Sequence, residues 1–470
     1  MAKQPVVVSG ATVAAPIRLT SHYTRLLHIW FTSERLASGR FLLFVWFLAR
    51  LSVFSVWAFI TPATQGDVLY YYGAIRTMFA SGPAQVMPEY PTPVLWILSV
   101  PYLVGFGTSK GYVVAFVMMM LGFDALFAWT LWRTGGPLRG NAVVFWTLFL
   151  LLVGPTAYLR FDLITSVLCG WAVLMLLRGR SRLAGALTGI GAAIKLWPAL
   201  LWPALCHGRA RQKAYATLGF WLAGGALALA SLLFGGWRRL LSPLTWQQGR
   251  GLQVESIWAT IPMLLRAFRV GDYTVTLSRF QAFEIWGPGV DALKTASTVC
   301  TVLGLGCALL AYLAWLLRGN GRVIESVALI QMVILIMIIT NKTFSPQYIM
   351  WLGGPQAASY AVLGAAGGRR AHQLEDHRRM SAISAWIAVS TLLTLAVYPV
   401  SYDSLVRDWS LFDQVLRVPA TLLLVARNIS VLVLTAHVVE WVWSFLRPRL
   451  SAPAGGSQGL LYQAAAGDGT

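Results

Sequence analysis

Four short polar stretches interrupt an otherwise apolar chain, and they hold the residues whose types and spacing suit chemistry. Within the first, Thr61-Pro-Ala-Thr-Gln-Gly-Asp67 sets a single carboxylate a few residues after the first apolar run, and Glu89-Tyr90-Pro-Thr-Pro93 turns the chain back toward the next one. Tyr158-Leu-Arg160-Phe-Asp162 puts a guanidinium two residues from a carboxylate on a very short turn. Trp246-Gln-Gln-Gly-Arg250-Gly-Leu-Gln253-Val-Glu255-Ser256 mixes a cation, amides and glycines. Arginine offers a forked donor to phosphate, and flanking glycines let backbone donors approach closely. Thr340-Asn-Lys342-Thr-Phe-Ser-Pro-Gln347-Tyr348 is a mostly polar corner between two apolar runs. Carboxylates that accept a proton, cations that hold an anion, and amides and aromatic rings that bind sugars are the chemistry these types allow. Each stretch also admits a plainer account: a solvated boundary aspartate at 67, an interfacial ion pair at 160 and 162, a capped helix start at Glu255-Ser256.

Three further ionisable residues, Asp124, Lys195 and Arg427, fall deep inside apolar runs. An unpaired charge there costs roughly 2.5–3.5 kcal/mol on insertion scales, so each needs a partner, and Asp124 with Arg427 is one pair the sequence offers. Metal ligation has little support. His22, His28, His207, His372 and His377 fall in loops assigned to the cytoplasm, His437 lies in the last apolar run, and no His/Cys pair has zinc-ligand spacing. The four cysteines, Cys169, Cys206, Cys300 and Cys307, sit in or beside apolar runs and read as small packing residues.

The elements that must position these stretches follow from composition. Of 470 residues, 57% are hydrophobic and only 11% charged, against about 25% charged in soluble domains. That excludes a soluble enzyme, a disordered regulator and a disulfide scaffold, and leaves a polytopic membrane protein, all-α. The net charge of +20 reads as positively charged cytoplasmic loops and not as nucleic-acid binding. Twelve apolar runs are present, from 41–60 to 418–445; the run at 93–107 is short, and 184–206 is broken by Pro198 and Pro203. Leaving those two as irregular half-length segments puts the Arg133/Arg139, Arg178/Arg180/Arg182, Arg209/Arg211/Lys213, Arg318/Arg322 and Arg369/Arg370/Arg378/Arg379 clusters on one side with the N-terminus. Ten full crossings are therefore expected, with a total of ten to twelve helices. The four polar stretches then share the outer face. The long 236–296 stretch lies there too, and loops of that length are usually functional. The domain reading is a cytoplasmic segment over 1–40 with an amphipathic helix at 20–36, a transmembrane catalytic domain over 41–445, and a disordered cytoplasmic tail over 446–470.

Taken in order, Asp67, Glu89-Tyr-Pro-Thr-Pro93, Arg160-Phe-Asp162, Lys195-Leu-Trp-Pro198, Arg250-Gly-Leu-Gln-Val-Glu-Ser256 and Asn341-Lys-Thr-Phe-Ser-Pro-Gln-Tyr348 resemble the landmarks of the GT-C glycosyltransferases, within them the actinobacterial family 87 type. The resemblance covers most of residues 40–400. It implies a GT-C fold and transfer of a sugar, in the first place mannose, from a polyprenyl-phosphate donor to a lipid-linked acceptor glycan. The reaction would run at the outer face of the plasma membrane with inversion of the anomeric centre. It implies Asp67 as general base, with Lys342, Arg250 and Arg160 on the donor phosphate. Asp162, Glu255, Gln253, Gln347, Tyr348, Glu89, Tyr90 and Trp246 are the candidates for holding sugar and acceptor. Phosphatidylinositol mannoside mannosyltransferases of the PimE type are the functional relatives it suggests. Many relatives carry Asp-x-Asp in the first outer loop, whereas position 65 is Gln65 here, so a metal-independent mechanism without cofactor is expected. Two other functions stay open on the sequence: transfer of arabinose from decaprenyl phosphate, and a lipid or ion transporter with Asp124, Lys195 and Arg427 along its path.

Overall fold

The computed structural model describes residues 33–83, 86–318, 321–365, 370–407 and 411–447. The expected amphipathic helix at 20–36 and tail at 446–470 lie for the most part outside them. Helix α1 (Gly39–Phe59) is capped by Ser38, whose hydroxyl accepts from the Phe41 N–H at 3.4 Å. Then come α2 (Gly66–Ser81), α3 (Thr92–Val104) and α4 (Ser109–Thr134), the last capped in the same way by Thr108. Helix α5 (Arg139–Val153) stops at Gly154, whose φ of 68° suits glycine, and Pro155 follows. Next are α6 (Asp162–Leu177), α7 (Ser181–Ile194), α8 (Ala210–Gln248) and α9 (Thr260–Ala267). The chain continues through α10 (Val290–Leu317), α11 (Val323–Thr340), α12 (Met350–Ala365), α13 (Arg370–Leu395) and α14 (Leu411–Leu446).

Among the described residues, eight helices are long and apolar enough to cross a membrane. With its composition, this makes the chain a multi-pass membrane protein, as the sequence implies. Of the ten full crossings expected, the segments at 162–178 and 346–366 form α6 and α12, of 16 residues each. A helix of that length spans about 24 Å. Both are enclosed almost completely by other helices, and protein-buried helices need not match the bilayer. The two irregular segments behave as their prolines dictate. The run at 93–107 yields the 13-residue α3. The run at 184–206 breaks at Lys195, which has extended φ/ψ, and resumes as a 3₁₀ helix over Trp197–Leu205.

Helices α7 and α8 touch backbone to backbone. A Cβ on Gly185 would lie 1.9 Å from the Ala216 carbonyl oxygen, and one on Gly219 equally close to that of Arg182. Small residues permit such contact where lipid offers no hydrophobic drive. Helix α8 bends at Gly236 (φ 69°) and runs on to Gln248, so its last turns belong to the 236–296 stretch. The rest of that stretch folds into a small sheet, an addition to the all-helical expectation. Strands β1 (Leu252–Gln253), β2 (Thr274–Leu277) and β3 (Phe283–Trp286) pair antiparallel in the order β1-β3-β2, with Gln253 opposite Glu284 and Leu277 opposite Phe283. Leu252, Val254, Met263 and Ile285 form a second apolar core beneath it.

The Asp124–Arg427 pair that the sequence offers does not form. Asp124 is fully buried and takes a forked contact from Arg50 of α1, Nε to Oδ2 at 2.8 Å and Nη2 to Oδ1 at 2.9 Å. The indole of Trp146 and the hydroxyl of Tyr158 add bonds of 2.8 Å each, and Arg50 Nη1 reaches the Thr147 carbonyl. Arg427 lies instead against Glu255 and over the Phe344 ring at 4.0 Å. Position decides the partner: Arg50 lies within reach of Asp124 and of the Thr147 carbonyl on α5, while Arg427 is held at Glu255.

Candidate active site

A cavity of about 890 Å³ opens between the first turns of α2, the break after α7, the end of α8, the small sheet and the 341–348 corner. The helix start at Gly66 puts Asp67 in the first turn of α2, so its carboxylate stands on the cavity wall about one turn from Tyr70 and Tyr71. Arg160 Nη2 forms an ion pair with Asp67 Oδ2. Arg160 is extended at the end of a one-turn helix, Thr156–Leu159, which points it back toward α2. Burial raises the Asp67 pKa above the ordinary carboxyl value, Arg160 opposes this, and the nearby Asp162 adds to it. The balance leaves a carboxylate that is more basic than in water and fixed in place.

A second ion pair joins Lys195 to Asp162. Asp162 also accepts from the Trp351 indole at 2.7 Å. The break after α7 aims Lys195 into a cage of rings, with Phe161, Trp351, Tyr348 and Tyr90 centred 5.3–5.9 Å from its ammonium. Cation–π attraction holds the ammonium there. The third pair is the buried one of Glu255 and Arg427. Arg427 Nη2 donates to the Glu255 carbonyl at 2.7 Å and stands 3.9 Å from its carboxylate. Burial pushes the Glu255 carboxyl up to about 7, against the pull of Arg427 and Arg160.

Two cavity cations differ from these. Among the described residues, neither Arg250 nor Arg279 forms an ion pair, and Arg250 Nε is buried without a partner. The Arg279 guanidinium lies over the Phe280 ring at 4.9 Å and 3.3 Å from where a Cβ on Gly249 would sit, one residue from Arg250. Lys342 does not line the cavity. Its ammonium donates to the Gln248 carbonyl at 3.0 Å, and burial, Lys294 and Arg250 lower its pKa. Glu284 accepts from the Gly251 N–H at 2.9 Å.

Of the expected site residues, Asp67, Arg160, Glu89, Tyr90, Trp246, Arg250, Gln253, Glu255, Gln347 and Tyr348 line this one cavity. Asp162 stands one layer behind, holding Lys195, and Lys342 braces the Gln248 turn. Gln253 bridges Glu255 and Ser345 at 3.4 and 3.3 Å, and Trp246 packs edge-on to Phe280 at 5.0 Å. The sequence reading passed over Arg279, Trp351, Tyr398 and Tyr402, all on the wall, and took Lys195 as a span residue. Only the Lys195-Leu-Trp-Pro198 landmark marked it. Asp124, Lys195 and Arg427 belong to three separate ion pairs and not to one polar path. Among the described residues no group of three His, Cys, Asp or Glu side chains is placed to hold a metal ion.

The pattern of glycosyltransferase family 87 matches residues 89–346, more than half of the chain. The chain belongs to glycosyltransferase family 87. This family 87 protein is therefore a membrane glycosyltransferase, and its matched stretch runs from Glu89 through the 3₁₀ segment and sheet to Pro346; Asp67 lies upstream of it. No curated protein matches the chain. Two solved structures of ArnT from Cupriavidus metallidurans show a distant likeness. The one bound to undecaprenyl phosphate has 15% identity, covers 79% of this chain and 73% of its own, and has a TM-score of 0.41. The apo one has 14% identity, covers 79% and 72%, and has a TM-score of 0.38.

Proposed function

We propose that this family 87 enzyme adopts a GT-C fold and transfers mannose from a polyprenyl-phosphate donor to a lipid-linked glycan at the outer face of the plasma membrane, with inversion. The observation that carries the reading is the composition of the cavity wall. It holds a carboxylate paired with a guanidinium, Asp67, and two cations that form no ion pair among the described residues, Arg250 and Arg279. A displacement at an anomeric carbon needs a base for the incoming hydroxyl and a cationic seat for the departing phosphate. Arg160 keeps Asp67 ionised and oriented, so the carboxylate takes the acceptor proton as the new glycosidic bond forms. The bond from the anomeric carbon to the phosphate oxygen breaks, and Arg250 and Arg279 meet the negative charge that develops on that phosphate. Lys342 supports the same turn from behind. Gln253, Gln347, Tyr348 and Trp246 supply amide and ring contacts to the sugar.

The transfer is proposed to be metal-independent, because Asp67 and Asp162 are each engaged by a cation, Asp67 by Arg160 and Asp162 by Lys195. Those cations would repel a divalent ion.

Purified protein reconstituted with polyprenyl-phosphate mannose and envelope lipid is expected to form a mannosylated lipid whose new linkage is inverted and whose rate is unchanged by EDTA. Asp67→Asn should fold normally and lose about 10²–10⁴ in rate. Full activity in that variant would sink the assignment of the base.

A further inference from the structure

A polar cluster near Asp67 holds a carboxylate oxygen that no protein donor meets. Tyr70 is one turn along α2 from Asp67, and residues at that spacing have Cβ atoms about 5–6 Å apart. The Tyr70 hydroxyl donates to Glu89 Oε1 at 2.6 Å. The other oxygen, Glu89 Oε2, is buried and accepts no hydrogen bond, although Glu89 lines the cavity. The loop that carries Glu89 is clamped from the far side. Arg239, 3% exposed and three residues past the Gly236 bend, donates from Nη1 to the Met87 carbonyl at 3.0 Å. Its charge lies close enough to act on both Glu89 and Tyr70. A buried carboxylate oxygen without a donor costs free energy, and Asp67, Tyr70 and Glu89 all line the same cavity.

We infer that Glu89 is a specificity-determining residue that accepts a hydrogen bond from a second hydroxyl of the acceptor sugar, adjacent to the one Asp67 deprotonates. Arg239 is its positioning residue. The acceptor is thus a sugar with a neighbouring pair of free hydroxyls, gripped by two carboxylates on one wall. This rests on the proposal that the cavity takes a sugar acceptor, and it adds which hydroxyl relationship the site selects.

The test reads binding without donor. Full-length protein in lipid nanodiscs is titrated calorimetrically with n-octyl α-D-mannopyranoside and its 2-, 3-, 4- and 6-deoxy analogues. A hydrogen bond to a charged group corresponds to about 10–100-fold in affinity. One analogue is expected to bind the unaltered protein weaker by that factor. Glu89→Gln should bind the parent mannoside weaker to the same extent and no longer distinguish it from that analogue. Tyr70→Phe disturbs the same loop but leaves the carboxylate, and it should keep the discrimination; a merely structural role for Glu89 would lower all affinities in proportion. Equal affinity of the unaltered protein for all five mannosides, no binding of the parent, or discrimination that survives in Glu89→Gln overturns the inference. Failure of transfer from polyprenyl-phosphate mannose while the binding pattern holds sinks the donor reading alone.

Discussion

At the scale of single residues, the cavity separates charges that are spent from charges that are available. Asp67, Asp162 and Glu255 each face a cation, whereas Arg250 and Arg279 face none among the described residues. Arg279→Ala is expected to raise the donor KM about tenfold with a smaller change in kcat, in line with the loss of one charge-assisted contact; steady-state kinetics with varied donor checks it. Glu255 makes a different prediction. Its folded-state pKa of about 7 lies above the ordinary carboxyl value of 4.5, so the folded protein binds a proton that the unfolded chain gives up. Stability is therefore full below about 4.5 and falls as pH climbs to about 7, by an amount on the order of 3 kcal/mol. Thermal unfolding between pH 4.5 and 8 should show this decline, and Glu255→Gln should flatten it.

At the scale of elements, helix ends and breaks do the positioning. The start of α2 presents Asp67, the extended residue after Ile194 presents Lys195, and the bend at Gly236 carries α8 to the Gln248 turn. The pair of Arg50 and Asp124 instead fastens α1 to α4 and α5 away from this cavity. Arg50→Met leaves a buried carboxylate uncompensated and is expected to cost about 3–5 kcal/mol, read as a lowered unfolding midpoint in detergent, with the KM values of the surviving fraction unchanged. Sequence reading reached the motif-bearing turns because their residues are close in the chain: Arg160 with Asp162, and Arg250 with Gln253 and Glu255. It missed Arg50 as the partner of Asp124 because chain order does not say which helices pack together, and Arg50 lies on α1, 74 positions away. It missed the sheet because strands of two to four residues leave almost no alternating pattern. Arg279 went unseen for the same reason, being the tip of a hairpin with no motif around it.

At the scale of the whole molecule, the apolar composition and the charged clusters anticipated a multi-span helical protein, and the helices that fell short of full crossings are those enclosed by their neighbours. The orientation proposed from the positive clusters has its own check. With a membrane-impermeant maleimide on intact cells, Thr276→Cys on β2 should label at once, and Arg211→Cys at the start of α8 only after permeabilisation. The reverse pattern would invert the protein and move the cavity to the cytoplasmic side.

The uncompensated pair Arg250 and Arg279 has a consequence for turnover. In the proposed reaction the donor is a phosphodiester with one negative charge, but the lipid left behind is a phosphomonoester, whose second ionisation falls near pH 6. The two guanidiniums that ease departure thus hold the spent carrier more tightly than the fresh one. The proposed reaction is therefore expected to be paced by escape of the carrier lipid and not by bond breaking.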